Sequence, residues 1–346
     1  MDSKQRVWQI AHHAEADRVP CHIWYTPQIG EKLAQIYGLS GPALEVAIEN
    51  DILMTHVGVN LGFDAELAPG EEYVDDWGIR YKRVFHYNEV VGNPLADLSA
   101  WSTYQFPDPA WSKRWQRLDE LLATYGGSHC IAADLSSNYF EIGFHLRGME
   151  RWLTDLVANP GFVDALLGRL DAFDRQVARL ALARGVDIIW LGSDIASQQG
   201  MIISPELWRR LFKPRFARLI RLVKEANPRV LVAYHSCGAI RPIIPDLIEI
   251  GLDILNPIQP LARGMEPAGI KRDFGQTLTL HGGLDVQQLM PYGTPADVRD
   301  GVRRLMDALA PGGGFIFGPA HALQPDVPVE NIEAMLEAAA EAGRYR

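Results

Sequence analysis

The sequence predicts an α/β protein built as a single (β/α)8 TIM barrel, and three observations carry that prediction. Short apolar runs alternate with amphipathic helical stretches, the runs number eight, and run after run ends in a polar residue. A length of 346 residues suits one such barrel, and 47% hydrophobic residues supply its core. One domain over residues 1–346 is therefore expected.

In chain order the runs are VPCHIWY (19–25), ILMTHVG (52–58), CIAADLS (130–136), VDIIWLGSD (186–194), RVLVAYHSCG (229–238), LDILNP (252–257), LTLHGGLD (278–285) and GFIFGPAH (314–321). Their continuous apolar character fits parallel strands buried on both faces. Between them lie amphipathic stretches such as PELWRRLFKPRFARLIRLVKEA (205–226) and ADVRDGVRRLMDALA (296–310). Ser204 before Pro205 and Thr294 before Pro295 mark helix starts, a cap residue followed by a first-turn proline. Residues 73–106 break the rhythm. YVDDWGIRYKRVFHYNEVVGNPL reads as a short antiparallel excursion, expected as an N-terminal insertion covering one barrel end.

Bulk composition narrows the function. Thirty-three Lys and Arg against 43 Asp and Glu give a net charge of −10, which argues against a basic nucleic-acid surface. Three scattered cysteines make no disulfide framework. With no apolar signal core and no run long enough for a membrane span, a cytoplasmic protein is expected. Gly312, Gly313 and Gly314 precede a strand instead of following one, so they do not form a dinucleotide-binding loop.

In a barrel the C-terminal ends of the strands surround the active-site mouth. Polar residues gather at those ends: Asp194, His235 with Cys237, Asn256, His281 with Asp285, and His321. His235-Ser236-Cys237-Gly238 is the sharpest feature, because a strand end opening into a glycine turn can aim an imidazole and a thiolate at one point. Zinc accepts such nitrogen and sulfur ligands, and His321 is the third ligand that the strand ends offer. The same residues also suit a hydrogen-bonded histidine beside a buried thiol. Asp194 reads as a general acid or base, a substrate carboxylate partner, a support for the histidine, or a helix cap. His281 precedes two glycines that permit close backbone approach, and Asp285 can cap the next helix. Trp24, Tyr25 and Phe140 stand near early strand ends, where they either line a substrate pocket or pack in the core. Cys21 and Cys130 are expected to be structural.

The segments GSDIASQQGMIISPELWRRLFKPR, HSCGAIRPIIPDLIEIGLDILNPIQP, HGGLD and GPAHALQPDVPVENI resemble the uroporphyrinogen decarboxylase superfamily, which includes corrinoid-dependent methyltransferases. The resemblance covers most of 129–340 and implies the same barrel. Uroporphyrinogen decarboxylases carry an R-Q-A-G-R signature that binds substrate carboxylates; the equivalent stretch here, Trp24 to Gly30, has no arginine. Their aspartate motif is not evident around 51–64, where Asp51 and Asp64 are the nearest residues. The methyltransferase branch implies zinc on H-x-C and on a cysteine of the last strand. His235 and Cys237 match the first part, and His321 stands where a P-G-C-G pattern would place the cysteine. The expectation is a zinc-dependent methyltransferase passing a methyl group between a small thiol, methyl ether or methylamine-type substrate and a corrinoid carried by a partner protein. Asp194 and His281 are its expected catalytic groups, with Trp24, Tyr25, Phe140 and Asn256 around the substrate. The alternatives are a metal-free decarboxylase using Asp194 and His321, and a ligand-binding barrel without catalysis.

Overall fold

The computed structural model describes residues 1–58, 68–84, 87–136 and 138–345. Among them lie ten strands: β1 (Ile52–His56), β2 (Glu72–Val74), β3 (Arg80–Val84), β4 (Tyr87–Gly92), β5 (Cys130–Asp134), β6 (Ile188–Gly192), β7 (Leu231–His235), β8 (Ile254–Ile258), β9 (Thr279–Leu284) and β10 (Phe315–Pro319). Seven of these form one parallel sheet in the order β1-β5-β6-β7-β8-β9-β10, each neighbour reached through helical connections.

Residues 19–25 close this sheet into a barrel. Cys21 bridges in parallel to Asn50 before β1 and to Phe317 on β10, and Tyr25 bridges to Leu323. The Phe317 N–H donates to the Pro20 carbonyl at 2.8 Å, and the His22 N–H to the Phe317 carbonyl at 2.9 Å. The eighth run is thus a stave held by bridges, not a regular strand, because Pro20 has no N–H to give a ladder. The barrel interior is apolar in its lower layers: Ile52, Cys130, Ala132, Ile188, Trp190, Leu231, Ala233, Ile254 and Ile316 form one buried cluster. Alternation along each strand turns the next inward positions into the floor of the mouth.

The helix starts follow the sequence. Ser204 accepts the Leu207 N–H at 3.1 Å, and Thr294 forms a capping box with Asp297. Asp285 accepts the N–H groups of Gln287 and Leu289 at 2.8 and 3.1 Å and so organises the turn after β9. Strands β2, β3 and β4 make a separate antiparallel sheet between β1 and β5. It is tied to the barrel by Arg114, which pairs with Asp76 at 2.5 Å and donates to the Val57 carbonyl at 3.0 Å. Among the described residues, no helix is long and apolar enough to cross a membrane.

Asp51 sits beneath the barrel, fully buried. It accepts Arg6 Nη1 at 2.5 Å, Arg18 Nη1 at 2.7 Å and the Cys21 N–H at 2.8 Å. The nearest match to a substrate-binding aspartate is therefore a structural anion, because two arginines saturate it. Asp64 lies outside the described residues.

A second buried carboxylate shapes stability. Asp174, on the helix Pro160–Arg184, accepts Asn138 Nδ2 at 2.9 Å, and Asn138 in turn exchanges two hydrogen bonds with Gly192 at the end of β6. Burial pushes the Asp174 carboxyl up to about 8. The folded state therefore holds its proton more tightly than the unfolded chain, and stability falls as pH rises from about 4 toward 8. Asp174→Asn keeps the acceptor for Asn138 and removes that loss. Denaturant titration is expected to show the variant gaining stability over wild type as pH rises from 4.5 to 8, by several kcal/mol (about 1.4 kcal/mol per unit of pH).

Candidate functional site

The polar layer above the apolar floor is contributed by successive strands. Register pairs Gly192 of β6 with His235 of β7, and His235 with Asn256 of β8. A Cβ on Gly192 would fall 2.3 Å from the His235 carbonyl oxygen, so glycine is what lets β7 bring His235 close to its neighbour. Past β7 the chain turns, and Cys237 comes back toward the same point. Its N–H donates to Asp194 Oδ1 at 2.8 Å, which ties the loop after β7 to the loop after β6.

Three donors converge there. The Cys237 sulfur lies 3.7 Å from His235 Nε2, and Asp194 Oδ1 lies 3.5 Å from the same nitrogen. The ligating atoms of Asp194, His235 and Cys237 all fall within 4.8 Å of one another. One nitrogen, one sulfur and one carboxylate oxygen at this separation form a donor set of the kind zinc takes, with room for an open position. Electrostatics agree with a group of facing charges. Desolvation opposes ionisation of both Cys237 and Asp194, but His235 beside them holds each below its usual range. Against its own desolvation, His235 is raised well above the ordinary histidine value by Asp194 and Cys237.

His321 is exposed at the rim, its ring centroid 6.4 Å from that of His235. It interacts with the Cys237 thiol, which raises its pKa. The compact donor set brings Asp194 beside His235 and Cys237, through the loop after β7 that is tied to the loop after β6, and His321 stands next to the thiol.

Behind the donors runs a line of buried polar rings. His235 Nδ1 donates to Asn256 Oδ1 at 2.5 Å, and Asn256 Nδ2 bonds to His281 Nδ1. His281 Nε2 lies 3.2 Å from His22 Nδ1, and the Trp24 indole N–H meets the His22 ring at 3.0 and 2.7 Å from its two nitrogens. Trp24 also stacks on His235, centroids 5.6 Å apart and planes 25° from parallel. Burial depresses His22 to about 3 and His281 well below the ordinary value, so both are neutral.

These placements revise several assignments. Asn256 and His281 are each 1% exposed, with Asn256 hydrogen-bonded to His235 and His281 behind it. Phe140, also 1% exposed, packs on Phe144 and Phe212 in the core. Tyr25 is half-buried against Gly30 and joins the core. Cys21 and Cys130 are buried, as structural cysteines would be.

Two features escaped sequence reasoning. His22 lies inside an apolar run, not at its tip, and only the inward alternation that it shares with Trp24 marks it. His56 and Asp134, the last residues of β1 and β5, pair across the register at 2.7 Å. They end apolar runs just as His235 does, and the same rule would have found them.

Fold and cluster together define a (β/α)8 barrel with a nitrogen, sulfur and oxygen donor set at its mouth. The chain belongs to the uroporphyrinogen decarboxylase (URO-D) family, whose model matches residues 139–342. It is 29% identical over 229 residues to the methylated-thiol–coenzyme M methyltransferase of Methanosarcina mazei, covering 65% of this chain and 56% of that one. The chain thus spans little more than half the length of that relative. The methylcobamide:CoM methyltransferase MtbA of Methanosarcina acetivorans is 20% identical over 344 residues, 97% of each chain. The uroporphyrinogen decarboxylase of Chlamydia muridarum is 23% identical over 330 residues, 91% of this chain and 92% of that one. A solved methyltransferase from Methanosarcina mazei shares the fold, with a TM-score of 0.74 at 17% identity over 99% of each chain.

Proposed function

We propose that this protein is a zinc-dependent methyltransferase that moves a methyl group between a small substrate and the corrinoid of a partner protein. The observation that carries the reading is the convergence of His235, Cys237 and Asp194 at the barrel mouth. Relatives named as methylated-thiol and methylcobamide methyltransferases support the reaction class.

His235 and Cys237 would hold the zinc, with Asp194 the nearest third donor and His321 the next. Zinc there would lower the pKa of a substrate thiol or polarise the heteroatom that bears the methyl group. The chain's own groups prepare this centre. Asp194 fixes the Cys237 loop through its N–H, Asn256 holds the His235 ring, and Trp24 covers one face of that ring and shields it from water. On the rim, His321 faces the thiol and is placed to exchange a proton with an arriving substrate.

Purified protein is expected to carry about one equivalent of zinc, and to methylate a small thiol when supplied with methylcobalamin as a surrogate for the corrinoid partner. Zinc-free protein that decarboxylates a porphyrinogen would overturn this reading in favour of the decarboxylase chemistry.

A further inference from the structure

We propose that His56, held by Asp134, is a second substrate contact on the wall of the mouth that faces the metal donors. It takes a hydrogen-bond donor, a hydroxyl or an ammonium group, at the far end of the substrate. This deepens the methyl-transfer reading and rests on it for the near end.

Strand alternation turns both residues inward. Ile52 on β1 and Cys130 and Ala132 on β5 belong to the apolar cluster inside the barrel, and Met54 packs against it. His56 and Asp134 come two residues after Met54 and Ala132, and register sets them side by side. The N–H groups of Val57 and Gly58 donate to the Asp134 carbonyl at 2.8 and 3.1 Å, which clamps the two strand ends together. Three steps in the strand order separate β1 from β7, whose end carries His235. In a ring of eight staves that is nearly the opposite wall, and such a barrel leaves room for a small ligand between.

The pair has a defined polarity. Asp134 is 3% exposed, and burial opposes its charge. His56 at 2.7 Å and the Ser136 N–H at 2.7 Å nevertheless hold the carboxyl below its usual range. An ionised carboxylate only accepts hydrogen bonds, so His56 Nδ1 carries a proton, and in the neutral ring Nε2 is an acceptor. The His56 side chain is 53% exposed, so an arriving group can reach it. Among the described residues, no lysine or arginine stands at the inward strand-end positions to receive an anionic tail. Asp134 makes that wall negative instead, and its charge is felt as far as His22.

Indole rings connect the two centres. Trp190 is in register with Asp134, Trp24 packs on Trp190 with centroids 5.6 Å apart, and Trp24 stacks on His235. The partly exposed face of Trp24 suits a short hydrocarbon linker. The substrate so described has a heteroatom at one end, a few carbons in the middle and a donor at the other.

The test uses four thiols that differ only in their tails: 2-mercaptoethanol, cysteamine, 2-mercaptoethanesulfonate and 1-propanethiol. With methylcobalamin as methyl donor, wild type is expected to use the first two with at least 10-fold higher kcat/KM than the sulfonate. His56→Leu should raise KM for those two about 10-fold and cost 1-propanethiol, which has no donor, far less. His56→Gln keeps an acceptor and should recover most of the loss, with melting curves to confirm that both variants fold. Equal losses for all four thiols, no recovery by glutamine, or preference for the sulfonate would overturn the proposal. A second arm needs no turnover. In 15N-histidine-labelled protein, cysteamine is expected to shift the His56 Nε2 resonance, identified by its absence in His56→Gln, while 1-propanethiol leaves it in place. Equal shifts, or none, would overturn the contact. Failure to methylate any of the four thiols would remove the proposed function, while this resonance would still decide whether His56 receives a donor.

Discussion

Cys237→Ala is expected to abolish stoichiometric zinc binding and to lower methyl transfer by on the order of 10³-fold or more, with the barrel intact. The sulfur is the softest donor of the cluster, 3.7 Å from His235 Nε2, and its loss leaves one imidazole and one carboxylate. Such a pair holds zinc weakly. The fold survives because the structural contact at this position is the backbone N–H to Asp194, which alanine keeps. Cys237→Ser tests the same point at nearly equal volume, since a hydroxyl does not ionise near neutral pH as a thiol does. Metal analysis of the purified variants, beside a thermal melt, separates loss of metal from loss of fold. A full zinc equivalent retained in Cys237→Ala would refute the assignment of that ligand.

Asp51→Ala is expected to have the largest effect on stability, a loss of about 3–5 kcal/mol, seen as a shift of the denaturation midpoint or as insoluble protein. The carboxylate is completely buried between Arg6 and Arg18 and also accepts the Cys21 N–H. Removing it leaves two guanidinium groups facing each other and frees the start of the stave 19–25 that closes the barrel. Asp51→Asn should cost less, because the amide oxygen keeps one acceptor. Activity per folded molecule should stay unchanged in that milder variant. A fall in turnover without a fall in stability would show that Asp51 serves the chemistry after all.

Those two residues also show how far sequence reasoning reached. His235 and Cys237 were legible because a strand tip followed by a turn is a local arrangement, and local arrangements are written in consecutive residues. The eight apolar runs and the caps at Ser204 and Thr294 were legible for the same reason. Asp51 was ambiguous, since a carboxylate beside a strand reads alike as substrate partner or buried anion until its neighbours in space are known. The burial of His281 and Asn256 was not legible. They lie on inward positions, as their strand ends implied, yet the neighbouring rings close over them and remove them from the mouth.

The alternation of runs, their number and their polar tips determined by themselves that this chain forms a (β/α)8 barrel with its polar chemistry at one end. Backbone periodicity and burial of apolar surface need no long-range detail to act. Only the tertiary structure decided which tips meet. The loop after β7 folds toward β6 and brings Asp194 to Cys237, and the end of β10 brings His321 to the same thiol. Gly318 opens the wall between His281 and His22. Such encounters depend on the stagger of neighbouring strands and on where a side chain is missing. Residues far apart in the chain share them, so no single run of sequence contains them.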